Sequence, residues 1–341
     1  MERLMVVYDG TDASKLLYEL LSNRIAKEGL DAQIERFDIR RDSESGLSSG
    51  SGISEFRGSI AHLCENVGSA TMLLVHLAPV SREVLEAAPH LKFIGSERSS
   101  LPNVDVKAAL KKGVRISYSA GRNIRTVAEF TVGLILNVTR CISAASCMVK
   151  SGGWDRNLNR KPYTGVEMEG RKIGLVGFGG IGRQVAALLK CFGTDVCFYD
   201  PQVTGGSPDA RQVSLEELLT GCDVVSVHAR DESGHCLLGA RELHMIKPGA
   251  YLVNTARGYL VDESALVKEL QSGRIRGAAL DVFEQEPLSP DSPLLSMPQV
   301  VLCPHIGGLS EDMSPRSARF VLEDAVHFLK GEPLAHEYLP D

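Results

Sequence analysis

Short apolar runs alternate with amphipathic stretches along most of this chain. Met5 to Tyr8, Ala32 to Phe37, Met72 to Val75, Phe93 to Gly95 and Val114 to Ser117 have the length and apolar content of strands. Between them, Lys15 to Ala26, Ser81 to Ala88 and Val104 to Lys112 carry apolar residues at helical spacing. Such alternation predicts a parallel sheet, because parallel neighbours need a crossover that a helix supplies. Asp42 to Ser54 breaks the pattern with Ser and Gly and predicts a flexible loop.

From Asn123 to about Lys150 the apolar positions Val127, Phe130, Leu134, Val138 and Ile142 recur at helical spacing without an internal proline. A single long helix bridging two domains is expected there. A second alternating series follows: strand from Lys172 to Val176, helix Ile181 to Phe192, strand Val196 to Tyr199, then a helix after Ser214, whose Ser214-x-x-Glu217 is a capping box. Further strands are expected at Val224 to Val227, Tyr251 to Asn254, Ala278 to Leu280 and Val300 to Cys303, completing a doubly wound domain. Pro315 to Leu329 is helical again and comes too late to add a strand to that sheet. The pattern therefore predicts a discontinuous first domain, 1–122 with 310–341, and an inserted second domain, 123–309.

Composition narrows the class. A chain of 341 residues, 43% hydrophobic and 23% charged, has the length for two packed domains. A net charge of −6 argues against a broad phosphate-binding surface, so nucleic acid is not an expected partner. The eight cysteines are scattered without C-x-x-C or zinc-ligand spacing, which predicts reduced thiols and no metal. Met1 to Val7 leads directly to Asp9 without a cleavage pattern, and no apolar run reaches membrane-spanning length. A cytoplasmic protein with no membrane partner is expected.

Gly177-Phe178-Gly179-Gly180-Ile181-Gly182 follows an apolar strand and opens a helix. In G-x-G-x-x-G the first glycine (Gly177) permits a tight turn, the second (Gly179) lets backbone approach a pyrophosphate, and the third (Gly182) lets helix meet strand. The helix N-terminus then offers free N–H groups to an anion. The next strand ends on Asp200, at the spacing of a ribose-binding carboxylate. Asp200 would accept from both ribose hydroxyls and repel a 2′-phosphate, and Pro201 to Thr204 supplies no arginine to hold one. NAD is the expected cofactor.

Three more segments fall where strands of this domain should end: Asn254-Thr255-Ala256-Arg257-Gly258, Asp281 to Pro287, and Pro304-His305-Ile306-Gly307-Gly308. Ligands bind outside the carboxyl ends of such strands. Arg257, Glu286 and His305 together supply a cation, a carboxylate and an imidazole, the set that oxidation of a hydroxy acid requires. Two other strings are decoys. Gly46-Leu47-Ser48-Ser49-Gly50 matches the esterase pattern but has no strand before it, and Asn137-Val138-Thr139, a glycosylation string, falls inside a helix.

With these motifs, from about Leu73 to Leu329, the chain resembles the D-isomer-specific 2-hydroxyacid dehydrogenase family and is phosphoglycerate dehydrogenase-like, without a regulatory domain. The resemblance implies two Rossmann-like domains, a flavodoxin-like substrate domain and an inserted NAD-binding domain, commonly paired as homodimers through the cofactor domain and its long helix. It implies that Arg257 binds the substrate carboxylate and carbonyl, that His305 is the acid/base and that Glu286 pairs with it. It also implies Asp281 near the nicotinamide carboxamide, with Gly180, Ile181, Ala229, Thr255, Ala256 and Arg257 lining NAD. An imidazole, with an ordinary pKa of about 6.5, suits the proton transfer, and a planar guanidinium suits a carboxylate. Glutamate at 286 argues against formate, since relatives that oxidise formate place glutamine there.

Many relatives hold the substrate carboxylate on a glycine-rich loop. Here that stretch is Ser96-Glu97-Arg98-Ser99-Ser100-Leu101, so Arg98, Ser99 and Ser100, with Arg257, are the expected substrate contacts. Arg98, Arg122 and Arg125 offer a place for a second anionic group, as in 3-phosphoglycerate. Against it, Val75 to Pro79 lacks the arginine that phosphoglycerate dehydrogenases usually carry. An NAD-dependent D-2-hydroxyacid dehydrogenase is the primary expectation. The alternative is an NAD(H)-responsive, corepressor-like binding protein.

Overall fold

Strand and helix alternate through the computed structural model, which describes residues 1–41, 45–46, 53–154, 164–230 and 234–340. In chain order its elements begin with β1 (Glu2–Tyr8), α1 (Asp12–Glu28), β2 (Ala32–Asp38), the two-residue strands β3 (Ser45–Gly46) and β4 (Phe56–Arg57), α2 (Ile60–Asn66) and β5 (Met72–Val75). There follow α3 (Arg82–Ala87), β6 (Phe93–Ser96), α4 (Val106–Lys111), β7 (Arg115–Tyr118), α5 (Ile124–Arg140) and α6 (Ile142–Lys150). The second series runs β8 (Lys172–Val176), α7 (Gly180–Lys190), β9 (Asp195–Tyr199), β10 (Arg211–Gln212), α8 (Leu215–Gly221), β11 (Val224–Val227) and α9 (Ala240–Met245). It closes with β12 (Tyr251–Asn254), α10 (Glu263–Gln271), β13 (Gly277–Leu280), β14 (Val300–Leu302) and α11 (Met313–Lys330). The chain divides into two compact units, Met1–Asn123 with Ser310–Asp341, and Ile124–Leu309.

The first unit is a parallel sheet in the order β2-β1-β5-β6-β7, the flavodoxin-like arrangement. Alternate residues of its strands serve opposite layers. Met5 and Val7 of β1 pack with Leu63, Val84 and Ala109 from α2, α3 and α4. Leu4 and Val6 pack with Leu17 and Leu21 of α1 and Ala318 and Val321 of α11. Burial on both faces is why β1 and β5 read as apolar runs, whereas the edge strand β2, only partly buried, alternates apolar and polar residues. The return of α11 is tight: a Cβ on Gly95 would lie 2.7 Å from Val321 and from Leu74. Most of the predicted Asp42 to Ser54 loop, and with it the esterase-like string, lies outside the described residues.

The second unit is a seven-stranded parallel sheet, β10-β9-β8-β11-β12-β13-β14. Connections run one way from β8 to β9 and the other way from β11 onward, so the switch point lies between β8 and β11, where open α/β sheets bind ligands. Ile173 and Leu175 of β8 pack with Ala128, Ile135 and Val185 from α5 and α7. Val176 serves the opposite layer, with Leu218, Leu243 and Leu266 from α8, α9 and α10.

The single long helix expected from Asn123 to Lys150 is instead two helices bent by 68°. The break is at Cys141, which has a left-handed φ of 57°. The Asn137 side chain holds it, accepting from the Ser143 N–H at 2.8 Å and donating to the Ser143 hydroxyl at 2.7 Å. Helix α5 buries Val127, Thr131, Leu134, Ile135 and Val138, whereas α6 buries no residue. Among the described residues no single helix is long and apolar enough to cross a membrane.

Candidate active site

The glycine loop sits at the switch point. Gly177 has φ +100°, and a Cβ there would lie 2.4 Å from the Ala229 nitrogen, on the chain leaving β11. A Cβ on Gly182 would lie 2.5 Å from the Gly177 carbonyl oxygen, and one on Gly180 2.5 Å from Ile124. A Cβ on Gly179 would meet nothing within 4 Å. Packing thus requires Gly177 and Gly182, whose close neighbours are backbone, whereas Gly180 faces the end of the Ile124 side chain and at Gly179 the backbone faces open space. Helix α7 starts at Gly180 with no side-chain cap, so its first N–H groups, including that of Ile181, are available to an anion. Asp200 follows β9 and accepts from the Phe178 N–H at 2.7 Å and the Gln202 N–H at 2.9 Å. An uncapped helix start, an open backbone approach and a carboxylate beside the loop fit the pyrophosphate and ribose of a dinucleotide. Nearby, burial pushes the His228 imidazole down to about 4. It shares a hydrogen bond with Ser226 at 2.9 Å and stays neutral near neutral pH.

The other three segments are fastened to one another. Buried Asn254 accepts from the Ala256 N–H at 3.0 Å and donates to the Arg257 carbonyl at 2.9 Å, fixing the turn that presents Arg257. The Thr255 hydroxyl meets that of Thr131 at 2.9 Å, anchoring the turn to α5. Gly258 lies so close to the next segment that a Cβ would be 1.8 Å from the Phe283 carbonyl oxygen. Asp281, buried after β13, accepts from the Ile306 and Gly307 N–H groups at 2.9 and 2.7 Å. Its carboxylate therefore holds the backbone just beyond His305.

His305 Nδ1 lies 2.8 Å from Glu286 Oε2, and the other Glu286 oxygen accepts from the Phe283 N–H at 3.1 Å. Burial works to raise the Glu286 carboxyl, but the hydrogen bonds from His305 and Phe283 and the charge of Arg257 outweigh it and hold it below the usual range. The pair borders a cavity of about 450 Å³ walled by Phe283, Pro287, Leu288, Leu295 and Leu302. Arg257 is exposed, with Nη1 on the Ala256 carbonyl at 2.7 Å. Arg257, Glu286, His305 and the glycine loop thus all belong to the second unit.

Arg98, Ser99 and Ser100 belong to the first unit, after β6. Arg98 is paired with Glu55. Arg122 donates through Nη1 to the Glu97 carbonyl and, at 3.1 Å, to the Ser317 hydroxyl. Arg125, on α5, is paired with Glu129 at 2.7 Å. All three arginines considered for a second anion are therefore engaged. Among the described residues the N–H groups of half-buried Ser99 and Ser100 have no hydrogen-bond partner.

Beneath this loop Glu97 is fully buried, and neither carboxyl oxygen has a hydrogen-bond partner among the described residues. Asp9, also buried, accepts from the Thr11 hydroxyl at 2.6 Å, the Ser14 hydroxyl at 3.1 Å and the Leu77 N–H at 2.9 Å, with His76 Nδ1 at 3.3 Å. Burial works to raise the Asp9 carboxyl, yet His76 and Thr11 hold it well below the usual range. Asn254 and Glu97 were not singled out from the sequence. The Asn at the end of an apolar strand was a usable signal for the first, whereas a glutamate in a Ser-rich turn gives none for the second.

Residues 132–307 match the family model described as D-isomer specific 2-hydroxyacid dehydrogenase, NAD binding domain. A glyoxylate reductase of Thermofilum pendens is 40% identical over 79% of this chain and 81% of its own length. A D-3-phosphoglycerate dehydrogenase of Methanocaldococcus jannaschii is 36% identical over 79% of this chain and 52% of that protein. Among solved structures, a glyoxylate reductase from Paecilomyes thermophila superposes with a TM-score of 0.73 at 26% identity, covering 99% of this chain and 98% of that one. The glycine loop at the switch point, the carboxylate at Asp200 and these likenesses converge: the chain belongs to the D-isomer-specific 2-hydroxyacid dehydrogenase family and is an NAD-dependent oxidoreductase acting on the CH–OH group of its substrates.

Proposed function

We propose that the protein interconverts a small, unphosphorylated 2-keto acid and its 2-hydroxy acid, with glyoxylate the first compound to test. The observation that carries this reading is the 2.8 Å contact of His305 with Glu286 in the unit that carries the glycine loop and Arg257. NAD, when bound, carries the hydride to or from C2 of the substrate. Because Nδ1 of His305 is taken by Glu286, Nε2 is the nitrogen that exchanges the hydroxyl proton. Glu286, held ionised, stabilises the imidazolium whenever His305 carries the second proton. Arg257 directs its fork at the substrate carboxylate and keto oxygen and steadies charge developing on that oxygen.

The unpartnered N–H groups of Ser99 and Ser100 support a carboxylate anchor in the first unit. Engagement of Arg98, Arg122 and Arg125 supports a substrate without a second anionic group. A homodimer is supported by α6, none of whose residues is fully buried and which leaves Ile142, Val149 and, just beyond it, Trp154 exposed.

The test is loss of NADH absorbance with glyoxylate and with 3-phosphooxy-2-ketopropanoate, for the wild type and His305→Asn. Turnover of glyoxylate should exceed that of the phosphorylated acid, and His305→Asn should lower kcat by about 10²- to 10⁴-fold. An undiminished kcat in the variant refutes the role of His305, and preference for the phosphorylated acid refutes the substrate class. Tight NADH binding with no turnover across a panel of 2-keto acids points to the binding-protein alternative.

A further inference from the structure

Cys197 and Cys222 belong to different elements, yet their sulfurs lie 3.3 Å apart and both residues are buried. Cys197 is in β9, and Cys222 is the residue at which α8 ends. The central strand makes the room. Gly174 of β8 is the register partner of Cys197, and a Cβ on it would lie 2.5 Å from Leu218 and 3.0 Å from the Cys222 sulfur. Any side chain at 174 would take the space beside the thiols. On the other edge Arg211 of β10 is in register with Cys197, its guanidinium paired with Glu217 at 3.0 Å.

The two sulfurs are unequal. The contact with Cys222 lowers the Cys197 thiol against burial, and Arg211 adds to the lowering despite Asp195 and Glu217. The same contact, with burial, raises Cys222. Arg211, in register with Cys197, favours its thiolate, which makes Cys197 the attacking sulfur and Cys222 the one that resolves it.

We propose that Cys197 and Cys222 form a peroxide-reactive dithiol whose disulfide weakens dinucleotide binding by this unit. The Cys197 thiolate attacks hydrogen peroxide, the O–O bond breaks, and a sulfenic acid and hydroxide result, the hydroxide taking up the proton that the thiol released on ionising to give water. The Cys222 sulfur then attacks the Cys197 sulfur, the S–O bond breaks, and a second water leaves with the Cys222 proton. In total two thiols are oxidised by two electrons and one peroxide is reduced to two waters. Closing the sulfurs from 3.3 Å to a bond of about 2.05 Å draws β9 and the end of α8 together. Strand β9 leads directly to Asp200, whose carboxylate holds Phe178 of the glycine loop, so the displacement reaches the nucleotide site.

The test treats the reduced full-length protein with hydrogen peroxide, alkylates, and maps disulfides by mass spectrometry without reduction. NADH affinity is measured on the same samples by fluorescence titration. Peptides linked through Cys197 and Cys222 are expected, together with NADH affinity about fivefold weaker and restored by dithiothreitol. Cys197→Ser and Cys222→Ser should each bind NADH like the reduced wild type and keep that affinity after peroxide. A Cys147→Ser/Cys191→Ser/Cys236→Ser variant, lacking three exposed thiols, should respond as the wild type does. Oxidation confined to the exposed cysteines, with Cys197 and Cys222 recovered as alkylated thiols, overturns the dithiol. Unchanged NADH affinity in the fully linked protein overturns its coupling to the cofactor. The linkage readout does not depend on the role given to Asp200, so the two failures are distinguishable.

Discussion

Replacing Glu97 by glutamine should make the first unit less sensitive to alkali. Glu97 is pushed from the usual 4.5 up to about 8, first by burial and then by the nearby charge of Asp9, with Arg122 offsetting part of the effect. Below about pH 4.5 the folded and unfolded chains both hold this proton and the shift costs nothing. Between about 4.5 and 8 the folded protein keeps a proton that the unfolded chain has released, so stability falls by about 1.4 kcal/mol per pH unit. From about pH 5 to pH 8 the loss sums to about 3.5 kcal/mol, and above that the full penalty is present. Glutamine keeps the shape and cannot ionise, so the stability of Glu97→Gln minus that of wild type should rise by this amount over the same range. Cys64 is the single cysteine of the first unit. Its pulse alkylation across a urea series, read by mass spectrometry, follows this unit alone, and comparison at each pH cancels the pH dependence of the reagent. A difference between variant and wild type that is the same at about pH 5 and pH 8 would falsify the buried, protonated carboxyl.

Glu286→Gln should reduce kcat with little change in KM, because it removes a charge whose attraction to an imidazolium about 4 Å away is worth about 1 to 4 kcal/mol between water-like and protein-like screening. A kcat within a factor of two of wild type refutes that reasoning. Arg257→Lys loses the planar fork and should lower kcat/KM for glyoxylate by about 10- to 100-fold, a lost charge-assisted hydrogen bond, with an unchanged melting temperature. Two glycines should part company. Gly179→Ala adds a methyl group where nothing lies within 4 Å, so it should melt like wild type but bind NADH poorly in a fluorescence titration. Gly182→Ala forces a methyl group to 2.5 Å from a carbonyl oxygen and should lower the melting temperature outright, by about 1 to 3 kcal/mol of stability. Equal melting temperatures for the two variants count against the division between packing and ligand space.

The longer strands were legible because each carries its own evidence. Met72 to Val75 is buried on both faces and wholly apolar, and Val224 to Val227 is buried throughout with Ser226 its one polar residue; the Ser214 cap appears in the structure as its hydroxyl accepting from the Glu217 N–H at 3.1 Å. Features set by particular side-chain and strand-edge contacts rather than by periodicity were harder to read. The break at Cys141 depends on Asn137 reaching Ser143, and helical periodicity passes through it undisturbed. Helices α9 and α10 were not read from the sequence, although the Asp262 side chain caps α10 by accepting from the Ala265 N–H, and β10 is a two-residue strand that exists only because β9 lies beside it. In the site, the segments holding Arg257, Glu286 and His305 were recognisable as strand-end motifs. What fastens them was not, because Gly258 against Phe283 and Asp281 beneath Ile306 are contacts between turns distant in sequence.

His305 is one of few non-glycine residues in the left-handed region, with φ 56°. Most side chains disfavour that conformation, and asparagine is among those that tolerate it best. Asp281, gripping the next two N–H groups, holds the backbone in this unusual shape. The residue at position 305 thus meets two requirements at once, a titratable ring and a tolerated backbone. Alanine there would confound the two by adding strain to the loss of the imidazole. Asparagine separates them, which makes His305→Asn the cleaner measure of what the ring contributes to chemistry.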